Sequence, residues 1–497
     1  MRSCQVFLKN GYNLLQKGIY LLNYPGYIDE GTLMEPVGPA CAKKPYADPG
    51  SQNYCSQVYG RKTIIKWMAV FSLIFLANPG ISAANPFHEE LEELLESHKR
   101  ILATEAVVHS LAEGLKVSEK DLWPAVSVTA LQGRENRNNA EGTANTGIAI
   151  SEFDLTLTQP IDFWESKGSA IEIARLQFIQ GQLGLEQTIQ SILLEAITAT
   201  IGLRTATLVE SYARTSVANI KNQAQLEDAK VGKGAGLSTD VLQAKIQLAG
   251  AEARLSLSKG ALRQAINRYR TVSGYEPPAA SDIPILDIPL YKLPRTKEEC
   301  VGLALENNFQ IQTLRSGEQV AKASIKQTRA TSFRPDLNLI FDSKWKSNVS
   351  GIVGDTTEFI AKLEMRYNFN VGGSAMNSYR ASQQNYLAAS NQMQDARTLV
   401  EEQAKNTFEQ LQVAQENAGF LDNQANIAGE FLALAREERQ LGRRSLIDVL
   451  SGETAEINAL SDAEAAKSQV AITAYTLLFI LGKLDVASVN VAAVIVE

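Results

Sequence analysis

Residues 234–274 can be laid on residues 442–482 without a gap, at an offset of 208, and Asp240-Val241-Leu242 then falls on Asp448-Val449-Leu450. Earlier landmarks follow at nearly the same spacing: Trp123-Pro124 on Arg334-Pro335, Phe163 on Phe369, and Gly168-Ser169-Ala170 on Gly373-Ser374-Ala375. One unit of about 200 residues is therefore present twice, and a fold for this chain must serve both copies. The first repeat covers 85–276 and the second 296–485, joined by a Pro-rich connector at 277–295 and followed by a tail at 486–497.

Each repeat changes its hydrophobic period twice. Phe359, Ala361, Leu363, Met365, Tyr367 and Phe369 alternate with Lys362, Glu364, Arg366, Asn368 and Asn370, as do Leu337, Leu339, Phe341 and Trp345 with Asn338, Asp342, Lys344 and Lys346. Period two with one apolar and one charged face predicts strands. In the first repeat Val126 and Val128, then Phe153, Leu155 and Leu157, repeat the pattern. Strand pairs are expected at 123–131 with 150–160 and at 335–346 with 358–370, joined by long polar segments. Runs of about 9 to 11 residues with aromatics near their ends suit a transmembrane barrel, though a half-buried soluble sheet gives the same alternation.

The rest of each repeat is helical. Residues 168–231 and 374–440 contain no proline and are rich in Ala, Leu, Gln and Glu. Each predicts a helix of roughly 95 Å, far longer than globular helices. Second helices follow at 238–273, with Ser238-Thr239-Asp240 as its cap, and at 445–482. In the former, Val241, Leu248, Leu255, Leu262 and Tyr269 recur every seven residues beside the smaller row Ala244, Ala251, Ser258, Ala265 and Val272. That is coiled-coil spacing. Few strands cannot close a barrel, so several chains must share the structure. Shorter helices are expected at 87–113 and 297–314.

The beginning of the chain reads as a processing signal. Arg61, Lys62 and Lys66 precede an uncharged run from Trp67 to Ala77, and Ser82-Ala83-Ala84 supplies small residues at a cleavage point. This predicts a signal peptide at 61–84, with a retained N-terminal anchor as the alternative. Residues 1–60 form an atypical extension, which suggests a translation start nearer Gly60 or Met68. Cys4, Cys41 and Cys55 precede the cut and leave Cys300 alone, so no intrachain disulfide is expected; no Cys at the cut predicts no lipid anchor. The net charge is −7, and with eight basic and four acidic side chains in residues 1–84, the remainder carries −11. A nucleic-acid partner needs a basic footprint, and none is expected.

The duplicated strand pair and long helices, with Asp-Val-Leu after a glycine turn, resemble the TolC family of outer-membrane efflux and secretion channels over residues 86–485. The most telling stretch is Gln440-Leu441-Gly442-Arg443-Arg444-Ser445-Leu446-Ile447-Asp448-Val449-Leu450. The resemblance implies an α+β membrane protein and a homotrimer. Each copy would give four strands to one shared transmembrane β-barrel in outer-membrane lipid, and antiparallel helical hairpins to an α-barrel through the periplasm. The connector and short helices would form an equatorial belt. It implies a passive exit duct for type I secretion of proteins or efflux of small molecules, joined by a periplasmic adaptor to an inner-membrane ABC or proton-driven transporter. A soluble periplasmic coiled-coil adaptor or rod without a pore is the competing reading.

No enzyme, cofactor or metal is expected. His98 and His109 lie on one predicted helical face but about 16 Å apart, too far for one metal. Gly232-Lys233-Gly234-Ala235-Gly236 lacks the Walker spacing and reads as a turn between helices. By the resemblance, Asp448 faces the three-fold axis at the periplasmic tip, and Arg444, four residues earlier and expected on the same helical face, pairs with Asp240. Gly234, Ala235, Gly442 and Arg443 would sit on the turns that meet the adaptor. Two departures from well-known members stand out: Ser451 replaces a second acidic residue, and Arg439 replaces a tyrosine that helps lock the gate.

Overall fold

The fold is taken from a computed structural model, which describes residues 86–137, 146–351, 353–368 and 371–491. The expected extension at 1–60, the signal peptide at 61–84 and the last residues of the tail lie outside the described residues.

Each repeat runs helix, helix, strand, strand, long helix, helix. The first contains α1 (Pro86–Ser97), α2 (Lys99–Lys120), β1 (Ala125–Arg137), β2 (Thr146–Ile161), α3 (Ser166–Gly232) and α4 (Ser238–Ser273). After β3 (Leu286–Asp287), the second contains α5 (Lys297–Asn307), α6 (Phe309–Phe333), β4 (Asp336–Ser347), β5 (Asp355–Arg366), α7 (Ser374–Gln440) and α8 (Leu446–Ile480), closed by β6 (Asn490–Val491). Each 67-residue helix, α3 and α7, spans about 100 Å. Near the hairpin tips the helices lie in the row α4–α3–α8–α7, and in the other half in the row α2–α3–α6–α7. The helix α3 contains a stretch apolar enough to cross a membrane by composition, but Ile192, Leu193, Ile197 and Leu203 within it are buried in the protein's own core.

Several boundaries differ from the sequence expectation. The short helix expected at 87–113 breaks at His98, whose extended backbone ends α1 and whose Nδ1 accepts the Arg100 N–H at 3.2 Å. The one expected at 297–314 breaks at Asn308, whose side chain caps Gln310 and Ile311, and the chain then stays helical to Phe333. The strand β1 continues to Arg137 because Gln132 to Arg137 pair with Ser151 to Thr146 across the hairpin. The cap expected from Ser238-Thr239-Asp240 is not made: Leu237 holds the N-cap position without a side-chain bond. In the second repeat Ser445 does cap, accepting the Asp448 N–H at 3.3 Å.

The buried residues of α4 are Val241, Ala244, Ala251, Ser258, Tyr269 and Val272, all from the two seven-residue rows. Small side chains let α4 and α3 approach as a coiled coil requires. The core is densest midway along the long helices, where Ile192, Leu193, Ile197, Tyr475 and Leu478 pack with α1 and the connector. There the Tyr475 hydroxyl donates to the Asp287 carbonyl at 2.7 Å, and β3 pairs with β6, so the connector is strapped to the helices.

Candidate functional site

One end of the fold is a four-stranded antiparallel sheet in the order β1–β2–β4–β5, with β1 and β5 as unpaired edges. Its register sorts the side chains cleanly. Val126 and Val128 sit opposite Leu157 and Leu155, Phe153 opposite Trp345, Leu157 opposite Phe341, and Leu337 and Leu339 opposite Met365 and Leu363. All therefore share one face. On the other face Lys344 reaches Asp154 at 3.9 Å, Lys346 reaches Glu358 at 3.2 Å, and Lys362 reaches Asp342 at 3.6 Å, with Thr156 donating to Asp342 at 2.8 Å.

Exposure runs opposite to that of a water-soluble sheet. Phe359 is 76% and Leu363 and Met365 are each 66% exposed, whereas the Asp342 side chain is 9% exposed. Aromatic rings gather at both strand ends. Phe153, Trp345 and Phe359 stack at 5.4 and 6.3 Å near the loops, and Trp123 and Phe163 stand exposed near the helices. An apolar band between aromatic girdles, backed by a polar face, is the pattern of a barrel wall in lipid.

The opposite end carries two hairpin turns. Gly234 and Gly442 have φ of +73° and +72°, and each turn closes the same way: Ala235 N–H to the Lys230 carbonyl, Arg443 N–H to the Glu438 carbonyl. These paired bonds form Schellman caps, which need a residue at positive φ. Gly234, Ala235, Gly442 and Arg443 are exposed on the two turns. Asp448 is exposed in the first turn of α8, and Asp240 is part-exposed in the first turn of α4.

Arg444 is placed differently from the expectation. It precedes the Ser445 cap, so it is not on the helical face of Asp448. Its Nε donates to Glu438 at 2.7 Å and its guanidinium lies 5.1 Å from the Phe431 ring centre, within one hairpin. That position follows from the Schellman turn, which bends residues 442–445 away from the helix axis before α8 starts.

The structure adds a buried ionic cluster above the tip. Glu227 on α3 is 3% exposed and takes Lys230 at 2.8 Å and Arg439 of α7 at 2.9 Å. Burial alone pushes its carboxyl upward, but Lys230 and Arg439 outweigh it and hold the pKa below the usual range. Glu453 on α8 is 1% exposed and takes Arg436 of α7 and, at 3.4 Å, the Asn219 amide of α3. Glu456, one turn on, is pushed up by burial and then by Glu453. Helical spacing carries the signal for both acids. Glu227 continues the stripe Ile220, Ala224, and Glu453 continues Leu446, Leu450, so each charge stands on a buried face.

The profile described as outer membrane efflux protein matches residues 91–275 and 300–483, in two segments. The chain belongs to the outer membrane efflux protein family. Its place is therefore the outer membrane, with the helices in the periplasm, which sets aside the soluble rod. A curated relative, outer membrane efflux protein BepC of Brucella suis, is 21% identical over 389 residues, 76% of this chain and 83% of BepC. Among solved structures, the CmeC outer membrane channel of Campylobacter jejuni superposes with a TM-score of 0.70 at 14% identity, covering 80% of this chain and 88% of CmeC. The outer membrane protein VceC of Vibrio cholerae gives 0.68 at 16% identity, covering 79% and 95%. The chain thus has the TolC-like fold of the efflux proteins.

His98 stands between helices rather than on the face of His109, and no group of metal-ligating residues occurs among the described residues. Cys300 is fully buried against the Ala404 carbonyl, and burial, then Glu299, pushes its thiol up to about 11. A thiol so placed is unreactive at neutral pH.

Proposed function

We propose that the chain is one third of a trimeric exit duct in the outer membrane, exporting proteins or small molecules handed on from the inner membrane. The observation that carries this reading is the inverted sheet, with its apolar face outward and both edges unpaired. Unpaired edges in lipid are not viable, so the four strands need those of other copies to close a barrel. The helices support the same reading. Where α4 and α7 end the row of helices, Leu242, Ile246 and Leu257 on α4 and Val413, Phe420, Ile427 and Leu434 on α7, with Leu441 just past its end, stand exposed. The α7 set recurs every seven residues, as a seam awaiting a helix does. Three copies then make twelve strands, with α4 of one copy against α7 of the next.

The duct has no nucleotide site in its sequence, so energy comes from an inner-membrane ABC or proton-driven transporter through a periplasmic adaptor at the Gly234-Ala235 and Gly442-Arg443 turns. At the tip, three copies of Asp448 converge and, with Asp240 and Arg444 across the copy boundary, form the entrance. Like carboxylates held close attract cations and repel anions. The purified protein in planar bilayers should conduct ions with a preference for cations, and Asp448→Asn should reduce that preference several-fold without abolishing conductance. Bilayers that stay sealed would reject the duct, and an unchanged preference would remove Asp448 from the entrance.

A further inference from the structure

We propose that an ionic latch inside each copy, made by Glu227 with Arg439 and seconded by Glu453 with Arg436 and Asn219, holds the two hairpins together above the tip. The latch rests on the reading of the chain as a duct. It differs from the entrance residues Asp240, Arg444 and Asp448 in lying between α3 and α7–α8 of the same chain.

The geometry carries the argument. Arg439 uses one nitrogen, Nη2, on the Glu227 carboxylate at 2.9 Å and the other, Nη1, on the Arg444 carbonyl at 3.2 Å. A single planar guanidinium therefore ties α3 of the first hairpin to α7 and to the turn of the second. Lysine, a point charge, cannot hold both in fixed directions. Glu453 makes a similar crossing within about two helical turns of the first, reaching Arg436 within its own hairpin and Asn219 across. A third crossing, from Arg254 of α4 to the Thr454 hydroxyl at 3.4 Å, lies beside it.

Moving the second hairpin outward breaks these crossings but leaves the bonds within each hairpin intact. Separation takes Arg439 from Glu227, and a buried carboxylate stripped of its fork is unfavourable until water reaches it. Such a contact is made or broken as a unit, so the tip has two discrete arrangements rather than a continuous range.

The test compares Glu227→Gln, Arg439→Gln and the exchange of both charges, Glu227→Arg with Arg439→Glu, in planar bilayers beside the unaltered protein. Each single change should raise conductance several-fold, and the exchange should return it close to the starting value. Single variants that conduct like the parent, or an exchange as leaky as the singles, overturn the latch. So does an outcome in which the singles fail to assemble and the exchange assembles normally, because the pair would then serve stability and not opening. A parent that conducts while all variants match it rejects the latch alone; a parent that never conducts rejects the duct itself.

Discussion

At the scale of single residues, charge and capping decide most of what is specific to this chain. His98 accepts the Arg100 N–H through Nδ1 and so starts α2. Burial first, and Arg100 second, hold its pKa below the ordinary imidazole value, against a smaller upward pull from Glu195. A base with a lowered folded-state pKa is favoured in its neutral form, so the stability it lends is present above the unfolded value, about 6.5, and is lost as pH falls from there through the lower folded-state value. Protonation also turns the accepting nitrogen into a donor. The first turn of α2 should therefore exchange its amide hydrogens faster at about pH 5.5 than at about pH 7.5 once intrinsic rates are removed, and His98→Asn, a strong cap, should erase the difference. Equal protection at both pH values in the unaltered protein would show that the ring does not cap. The turn glycines and the helix starts at Asp240 and Asp448 are legible in the sequence because they follow a repeated local pattern. The buried acids Glu227 and Glu453 continue apolar helical stripes, but the pairing of Glu227 with Arg439 is not legible, because the two are 212 positions apart and only packing brings them together.

At the scale of elements, the repeat explains more than the propensities do. Four glycines, Gly234, Gly274, Gly442 and Gly482, form two pairs at the offset of 208, and all have φ between +64° and +77°. They end the four helices of the two hairpins, so turn chemistry is readable at sequence level. Their surroundings are not. A Cβ on Gly274 would meet nothing within 4 Å, whereas one on Gly482 would press into the carbonyl of Asn307. Gly274→Ala should cost about 1 kcal/mol from the left-handed backbone alone. Gly482→Ala should cost about 1–3 kcal/mol more from overpacking, read as a larger fall in melting temperature. Equal losses would mean that the end of α8 is not seated on α5. The helix breaks at His98 and Asn308 escape a reading by periodicity, since apolar spacing continues across each break and the side-chain cap alone marks it. The longer reach of β1 was hidden for the reverse reason. Residues 132–137 are polar and loop-like in composition, yet cross-strand pairing to β2 makes them strand.

At the scale of the whole molecule, one copy is unfinished in the same way at both ends. The row of helices stops at α4 on one side and α7 on the other, and the sheet stops at β1 and β5. Exposed apolar stripes lie on both terminal helices and an apolar band covers the sheet. Contiguous apolar surface of this kind marks a face that meets a partner or a membrane. Alternation and heptads reveal each of these features in the sequence, but which face of the sheet is left exposed is set only when the four strands pair. Closing row and sheet with the same neighbours satisfies both ends at once and encloses water along the axis. The most direct test is native mass spectrometry of the complex extracted in detergent from the outer membrane. The account predicts three copies of the chain; a particle of one or two copies would contradict it.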